Sequence, residues 1–330
     1  MLKQEMINNM VEAMDIKKDE LVLLHFWGED NEREMLHMFE YAVATIGATP
    51  ISLHQSRSNN AELFHQLNSE QISEKYYSIF DKVDTVIDIC MYAPVLPGEN
   101  MTKVGMAKYK DYMRQLFQVL SSKSKFVQIR IPTIANAEES ILDTEEFISR
   151  MEDAYNIDYK YLKTICLSEI NKLKEKTQLV LTTGSDCRLS FDTRGRLWNM
   201  DAGDGDFPCG EIYIAPNEEL TNGTIYFKKF YLEEESFEDV ILTIESGVIV
   251  TSNNSHINML LEELPDGGRV VGELGIGMNS NITELSGYPA LDEKMKGTVH
   301  IGIGMNQMFG GNNAAPLHID FVYEGDWTLS

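Results

Sequence analysis

The sequence predicts an α/β domain with a doubly wound parallel sheet over residues 1–176, followed by a β-rich domain with antiparallel or barrel-like strands over residues 177–330. Before residue 176, short apolar runs alternate with stretches of helical periodicity, which is typical of parallel strands joined by helices. After residue 176, short apolar runs follow one another with turn signals between them. No Gly/Ser-rich linker marks the change.

Four strands and two long helices are predicted in the amino-terminal half. The first strand, at residues 21–26, is followed by a helix at residues 32–46, which Gly47 is well placed to end. Residues 143–175 are predicted to form one long helix that leads into the second half. The other predicted strands are residues 49–54, 85–90 and 126–131.

Tight-turn signals separate the apolar runs of the carboxyl-terminal half. Asn222-Gly223 and Ser246-Gly247 are typical of the two-residue loops of β-hairpins. Residues 192–195 and 266–268 carry Asp and Gly in the same way. We therefore expect an antiparallel arrangement of hairpins here.

The composition excludes several classes of partner. A net charge of −24 and a pI of about 4.6 disfavour nucleic acid and attract divalent cations. Residues 1–15 lack the apolar stretch of a signal peptide, and no apolar run is long enough to span a membrane. We expect a cytoplasmic protein with reduced thiols, since its cysteines form no CxxC pair: Cys90, Cys166, Cys187 and Cys209.

Five charged or polar residues interrupt apolar strands of the second half: Glu211, Glu273, His300, His318 and Asp320. The last two are separated by one residue, so a strand would present both on one face. Each residue taken singly is more often a solvated glutamate or a hydrogen-bonded core histidine. Their joint occurrence on four strands, three of them next to glycines, favours a metal site for zinc, manganese, cobalt or ferrous iron.

In these segments the sequence resembles the aminopeptidase T family, the thermophilic metalloaminopeptidases of peptidase family M29. The resemblance is strongest over residues 178–322. The closing His-x-Asp-Phe of the family is matched by residues 318–321, and its Asp-Glu-Asn followed by His-Ile-Ala-Leu-Gly by residues 292–293 and 300–304. The remaining matches are residues 183–186, 208–216 and 272–274.

The resemblance implies a homodimer that removes amino-terminal residues from short peptides. It implies that the five residues hold two divalent ions (zinc, cobalt or manganese), and that an unliganded carboxylate carries a proton to the leaving amine. Glu293 is the candidate for that role, and a structural salt bridge from Glu293 to Lys294 or Lys296 is the alternative. The family has a tyrosine seven residues after the first metal histidine, and this sequence has Gln307 there. An amide at that place can still donate a hydrogen bond to an oxyanion.

Two alternatives stay open at this stage. The resemblance extends to 2,5-dihydroxypyridine dioxygenase, for which His300, His318 and Asp320 would hold a single ferrous ion. A binding protein that has lost turnover is the third hypothesis. Two divalent ions and a hydroxide would balance the charges of three carboxylate ligands, whereas one ion would leave a net negative charge, so we expect the dinuclear hydrolase.

Overall fold

The computed structural model describes residues 2–68, 72–94, 101–138, 140, 142–184, 186–232 and 235–330. Ser185, in one of the segments that resemble the family, lies outside these ranges. The chain divides into two compact units. The first comprises Met1–Tyr159 with Gly203–Pro208, and the second comprises Lys160–Ala202 with Cys209–Ser330. The domain boundary expected near residue 176 stays a prediction.

The first unit is built on a parallel sheet of four strands in the order β2-β1-β3-β4. The chain lays β2 on one side of β1 and then β3 on its other side, which is the order of a doubly wound sheet. β1 and β3 are buried along nearly their whole length, as central strands covered on both faces must be. The strands are β1 Leu21–Trp27, β2 Thr49–Gln55, β3 Thr85–Cys90 and β4 Lys125–Arg130.

Most of the described helices belong to the first unit, and one predicted helix is wrong. In place of a single helix over residues 143–175 there are two, α7 and α8, because Asn156 leaves the helical conformation with ψ of 43°. None of the described helices is long and apolar enough to cross a membrane. The helices are α1 Gln4–Ala13, α2 Arg33–Thr45, α3 Arg57–Gln66, α4 Glu74–Tyr77, α5 Lys103–Ser121, α6 Ile134–Glu138, α7 Thr144–Tyr155, α8 Tyr159–Leu173, α9 Ser255–Glu263 and α10 Pro289–Asp292.

Two antiparallel sheets form most of the second unit, and the predicted fold class is confirmed. One has six strands in the order β11-β10-β9-β6-β5-β15, and the other has five in the order β14-β13-β12-β8-β7. The strands are β5 Gln178–Thr183, β6 Cys187–Asp192, β7 Asn199–Asp201, β8 Glu211–Ile214, β9 Asn222–Leu232, β10 Glu235–Glu245, β11 Val248–Ser252, β12 Val271–Gly277, β13 Val299–Gly304, β14 His318–Tyr323 and β15 Trp327–Leu329.

Of the four predicted hairpin turns, one is confirmed as a hairpin loop. Ser246-Gly247 joins β10 to β11 as a two-residue hairpin loop in which both residues have positive φ. Asn222-Gly223 is not a turn: it begins β9 and pairs with β6. Residues 192–195 and 266–268 do turn the chain, but neither joins two neighbouring strands of one sheet, since β6 and β7 lie in different sheets and residues 266–268 follow a helix.

Aromatic side chains pack one antiparallel sheet against the other. The ring of Phe230 on β9 lies 4.5 Å from that of Phe321 on β14, and Phe227 contacts both. Side chains alternate between the faces of a strand, so burying Phe321 between the sheets turns His318 and Asp320 to the opposite face. The packing of the two sheets therefore determines which face carries the polar residues.

Replacing Phe230 by alanine is expected to lower the free energy of unfolding by about 3–5 kcal/mol, because it leaves a cavity between the two sheets. The matched control is Lys228→Ala on the same strand, whose exposed side chain is expected to change stability by less than about 0.5 kcal/mol. Urea unfolding of both variants measures the difference. Equal losses would contradict the packing described.

Candidate metal centre

Five polar side chains meet on one face of the five-stranded sheet. Glu211 begins β8, Glu273 lies on β12 and His300 on β13, while His318 and Asp320 lie on β14. These four strands are consecutive neighbours in the sheet, so residues distant in sequence become adjacent. All five residues lie in the second unit.

Glycines on neighbouring strands make room for these side chains. Gly275 pairs with His300, and a Cβ atom on Gly275 would lie 2.0 Å from the imidazole Nε2. Gly302 pairs with Glu273 on one side and Asp320 on the other. A Cβ atom there would lie 2.7 Å from Cε1 of His318 and 2.9 Å from Oδ1 of Asp320. The polar groups therefore fill the volume that a side chain on either glycine would occupy.

The donor atoms form two groups that share Glu273. In the first, Oε2 of Glu211 and Oε1 of Glu273 each lie 3.4 Å from Nε2 of His300. In the second, Oε2 of Glu273 and Oδ1 of Asp320 lie 3.3 and 3.2 Å from Nε2 of His318. A tetrahedral site with bonds of about 2.0–2.1 Å has edges of about 3.3–3.4 Å, so both groups have suitable spacing for a divalent ion.

The hydrogen bonds around the two groups also suit a cation. Oε2 of Glu211 is buried and has no hydrogen-bond partner among the described residues. Nδ1 of His318 lies 2.7 Å from the carbonyl oxygen of Met305. Because that contact requires a proton on Nδ1, Nε2 is the nitrogen that faces Glu273 and Asp320 and that would bind an ion in place of its proton, which is the usual arrangement of a metal-binding imidazole. The residues present therefore fit divalent metal ions.

The carboxylates of the cluster create a negative potential that stabilises positive charge. Burial alone would lower the pKa of His318, but the neighbouring Asp320 and Glu273 carboxylates raise it to about 12. The pKa of His300 is raised as well, because a hydrogen bond to Glu273 and the charge of Glu211 outweigh burial. Without another cation, the carboxylates thus retain protons on both imidazoles.

Glu293 lies beside the second group. Burial, together with the carboxylates of Asp320 and Glu211, raises its pKa well above the usual range, although Lys294 acts in the opposite sense. A hydrogen bond between the carboxyl groups of Glu293 and Asp320 also raises the pKa of Glu293 and lowers that of Asp320. The structure thus brings Glu293 to the five residues, while its catalytic role stays a prediction.

Lys294 is a buried member of the site, and its ion pair with Glu293 is one of the alternatives that the sequence left open for that carboxylate, whereas its contact with Glu211 was not predicted. Its Nζ lies 2.5 Å from Oε1 of Glu211 and 2.8 Å from Oε1 of Glu293, and the residue is only 5% exposed. The charges of these two carboxylates outweigh burial and raise its pKa, so the ammonium is charged. A charged triplet after a short helix looks like an exposed turn in the sequence, and no local pattern indicates its burial.

Gln307 does not join the cluster. It begins a short 3₁₀ helix, Gln307–Phe309, at an exposed position, and no hydrogen bond among the described residues links its side chain to the five. The ring of Phe309 from the same helix lies 5.5 Å from that of His318 and 5.5 Å from that of Tyr213. The sequence analysis missed this aromatic pair, because neither residue interrupts a pattern.

Several solved structures are similar to this chain, and one family model matches it. Wild-type AmpT from Thermus thermophilus is 15% identical, with a TM-score of 0.68 over 99% of this chain and 94% of that chain. 2,5-Dihydroxypyridine dioxygenase from Pseudomonas putida KT2440 is 12% identical, with a TM-score of 0.65 over 99% of this chain and 92% of that chain. Both likenesses concern the fold. No curated protein matches the chain.

The family match extends over most of the sequence. The family model of the thermophilic metalloproteases, M29, matches residues 46–319, which include four of the five residues of the cluster, and Asp320 follows directly after the matched range. The chain therefore belongs to the M29 family of thermophilic metalloproteases and is a metal-dependent hydrolase.

Proposed function

We propose that this protein is an aminopeptidase that releases amino-terminal residues from short peptides and binds two divalent ions, zinc, cobalt or manganese. The observation that carries the proposal is the pair of three-atom donor groups that share Glu273. Three protein ligands per ion leave a fourth position for water or substrate, as catalytic zinc sites require. The proposal includes a cytoplasmic homodimer, and the four cysteines are free thiols.

In this proposal Glu273 would be a ligand of both ions, since its two oxygens belong to different donor groups. Glu211 and His300 would complete the first site, and His318 and Asp320 would complete the second. Bound divalent ions would polarise the scissile carbonyl and lower the pKa of a water molecule towards neutrality. Lys294 offsets the charge of Glu293 when that carboxyl is ionised. The balance among two ions, three carboxylate ligands and one hydroxide is then unchanged.

The proton transfers are assigned to Glu293. Its raised pKa allows the carboxyl to hold a proton near neutral pH, and its hydrogen bond to Asp320 keeps that proton beside the second donor group. In its ionised form Glu293 would take a proton from the attacking water, and as the resulting carboxylic acid it would give that same proton to the leaving amine. The proposal that Gln307 donates to the oxyanion rests on its place seven residues after His300.

The alternative is a ring-cleaving dioxygenase with one ferrous ion held by His300, His318 and Asp320. The geometry supports it less well. The two histidines belong to different donor groups, and each approaches an oxygen of Glu273 rather than one common centre. A single ion at the triad would also leave Oε2 of Glu211 buried without a partner.

Metal content and peptide hydrolysis test the proposal directly. Purified protein loaded with zinc, cobalt or manganese is expected to contain close to two ions per chain and to cleave short peptides with a free amino terminus. Chelation is expected to abolish cleavage and metal to restore it, because hydroxide formation needs the ions. Amino-terminally acetylated peptides are the control and should stay intact. One iron per chain, with oxygen uptake on a dihydroxylated ring, would instead support the dioxygenase.

Gly275→Ala is expected to weaken metal binding about 10- to 100-fold, because the new methyl group would displace the His300 ring. Titration against a chromophoric chelator measures the affinity. Gly105→Ala is the control, since that helical glycine lies in the other unit and its nearest contacts are 3.2 Å away. Unchanged affinity in Gly275→Ala would remove His300 from the proposed first site.

Lys294→Met is expected to destabilise the metal-free protein by about 3–5 kcal/mol, because Glu211 and Glu293 would lose their buried counter-charge. Added metal should recover part of that loss, so the variant should gain more stability from metal than the wild type does. The control is Lys296→Met, which removes an exposed lysine two residues away. Thermal unfolding with and without metal measures both effects, and identical behaviour of the two variants would contradict this account.

A further inference from the structure

A second cluster of buried polar groups lies in the first unit, at the point where the order of the parallel sheet reverses. β1 and β3 are neighbours there, although β2 lies between them in the sequence. In open α/β sheets, ligands bind near the carboxyl ends of the two strands on either side of this point. The candidate metal centre lies in the other unit and includes none of these residues.

A cavity of about 190 Å³ opens between this part of the sheet and helix α5. Its walls are mainly apolar and include Trp27, Phe126 and Leu116. Pro94, shortly after the end of β3, also borders it, so the cavity reaches the carboxyl end of that strand. An engineered apolar cavity of about 150 Å³ holds benzene in another protein, so this volume suits a molecule with one ring.

A row of polar side chains crosses the floor of the cavity. His25, Asp88 and Gln128 pair in register on β1, β3 and β4, and all three line the cavity. Asp88 accepts hydrogen bonds from Nδ1 of His25 at 2.9 Å and Nε2 of Gln128 at 2.8 Å. It accepts a third from Nε1 of Trp27 at 2.9 Å. The carboxylate is therefore well supplied with donors and holds His25 in a fixed orientation.

One nitrogen atom of this network lacks a hydrogen-bond partner among the described residues. Nε2 of His25 is buried and has no hydrogen-bond partner among the described residues, although the residue is only 4% exposed. Nδ1 donates its proton to Asp88, so Nε2 is the ring nitrogen that is left to accept a hydrogen bond. Buried polar atoms of this kind are rare in folded proteins because each costs free energy unless it is satisfied.

We propose that this cavity is a second binding site, for a small neutral aromatic molecule that bears one hydroxyl group, that is, a phenol. The ring would pack against Trp27 and Phe126, and the hydroxyl would donate to Nε2 of His25. The Asp88 carboxylate disfavours an anion, and the three N–H donors and the Cys90 thiol already around it leave a cation little to bind. This inference is independent of the metal centre and of the proposed peptidase activity.

The test uses 4-fluorophenol and 4-fluoroanisole, which differ in that only the phenol can donate a hydrogen bond. Fluorine NMR of each probe, titrated with the full chain in the presence of a chelator, measures the affinity. We expect 4-fluorophenol to bind about tenfold more tightly than 4-fluoroanisole, the size of one buried hydrogen bond. Equal affinities, no binding, or binding that disappears with the chelator would each overturn the proposal.

Two variants locate the bound probe. His25→Asn retains a donor for Asp88 but removes Nε2. The ratio of the affinities for 4-fluorophenol and 4-fluoroanisole should therefore fall towards one, while 4-fluoroanisole binds as it does to the wild type. Met113→Trp adds volume at the half-buried rim of the cavity, so both probes should lose affinity. A preference unchanged in His25→Asn would overturn the hydrogen bond, and affinities unchanged in Met113→Trp would overturn the location. The two probes on the wild-type protein decide the question if either variant fails to fold.

Discussion

The second unit depends on one electrostatic constraint: several carboxylates lie together on a buried sheet face, where each needs a positive partner. Burial raises the pKa of Glu211, whereas hydrogen bonds from the histidines lower that of Glu273 despite its burial. The same group of atoms therefore contains carboxylates with opposite shifts, according to the positive charge that each can reach. Divalent ions would satisfy all of them at once, which is why the arrangement is better explained as a binding site than as a set of ion pairs.

The sheet meets this constraint through its two faces. Phe321 anchors one face of β14 against the other sheet, and the alternation of side chains turns His318 and Asp320 to the opposite face. Gly302, on the neighbouring strand, then leaves the space that these two side chains fill. Apolar packing, strand register and glycine residues thus act together. A register shift of one residue in any of these strands would turn its donor side chains to the opposite face of the sheet.

The sequence predicted residues that differ from their neighbours along the chain, and it did not predict features that depend on tertiary contacts. Glu273 and His300 could be found because each interrupts an apolar strand beside glycines. The sequence offered Lys294 only as an alternative ion-pair partner of Glu293, because a lysine after two acidic residues is the usual composition of a solvated turn. The hairpin loop predicted at Asn222-Gly223 was wrong for a related reason: the dipeptide suits such a loop, but pairing with β6 places it at the start of a strand. The existence of the cluster was predictable, and the burial of Lys294 against Glu211 was not.

Lys294 changes how the site is understood. Its ammonium binds Oε1 of Glu211, so Oε2 is the oxygen that remains for an ion. The family pattern that this segment resembles has asparagine after Asp-Glu, and an amide supplies no charge. The ammonium group of lysine is covalently attached to the chain, so its positive charge cannot leave the site as a metal ion can. The same group also contacts Glu293, the proposed proton carrier. The first donor group therefore retains one counter-charge when ions leave, whereas the second relies on protons taken up by its histidine. The two halves of the centre consequently differ in their electrostatics even though they share Glu273.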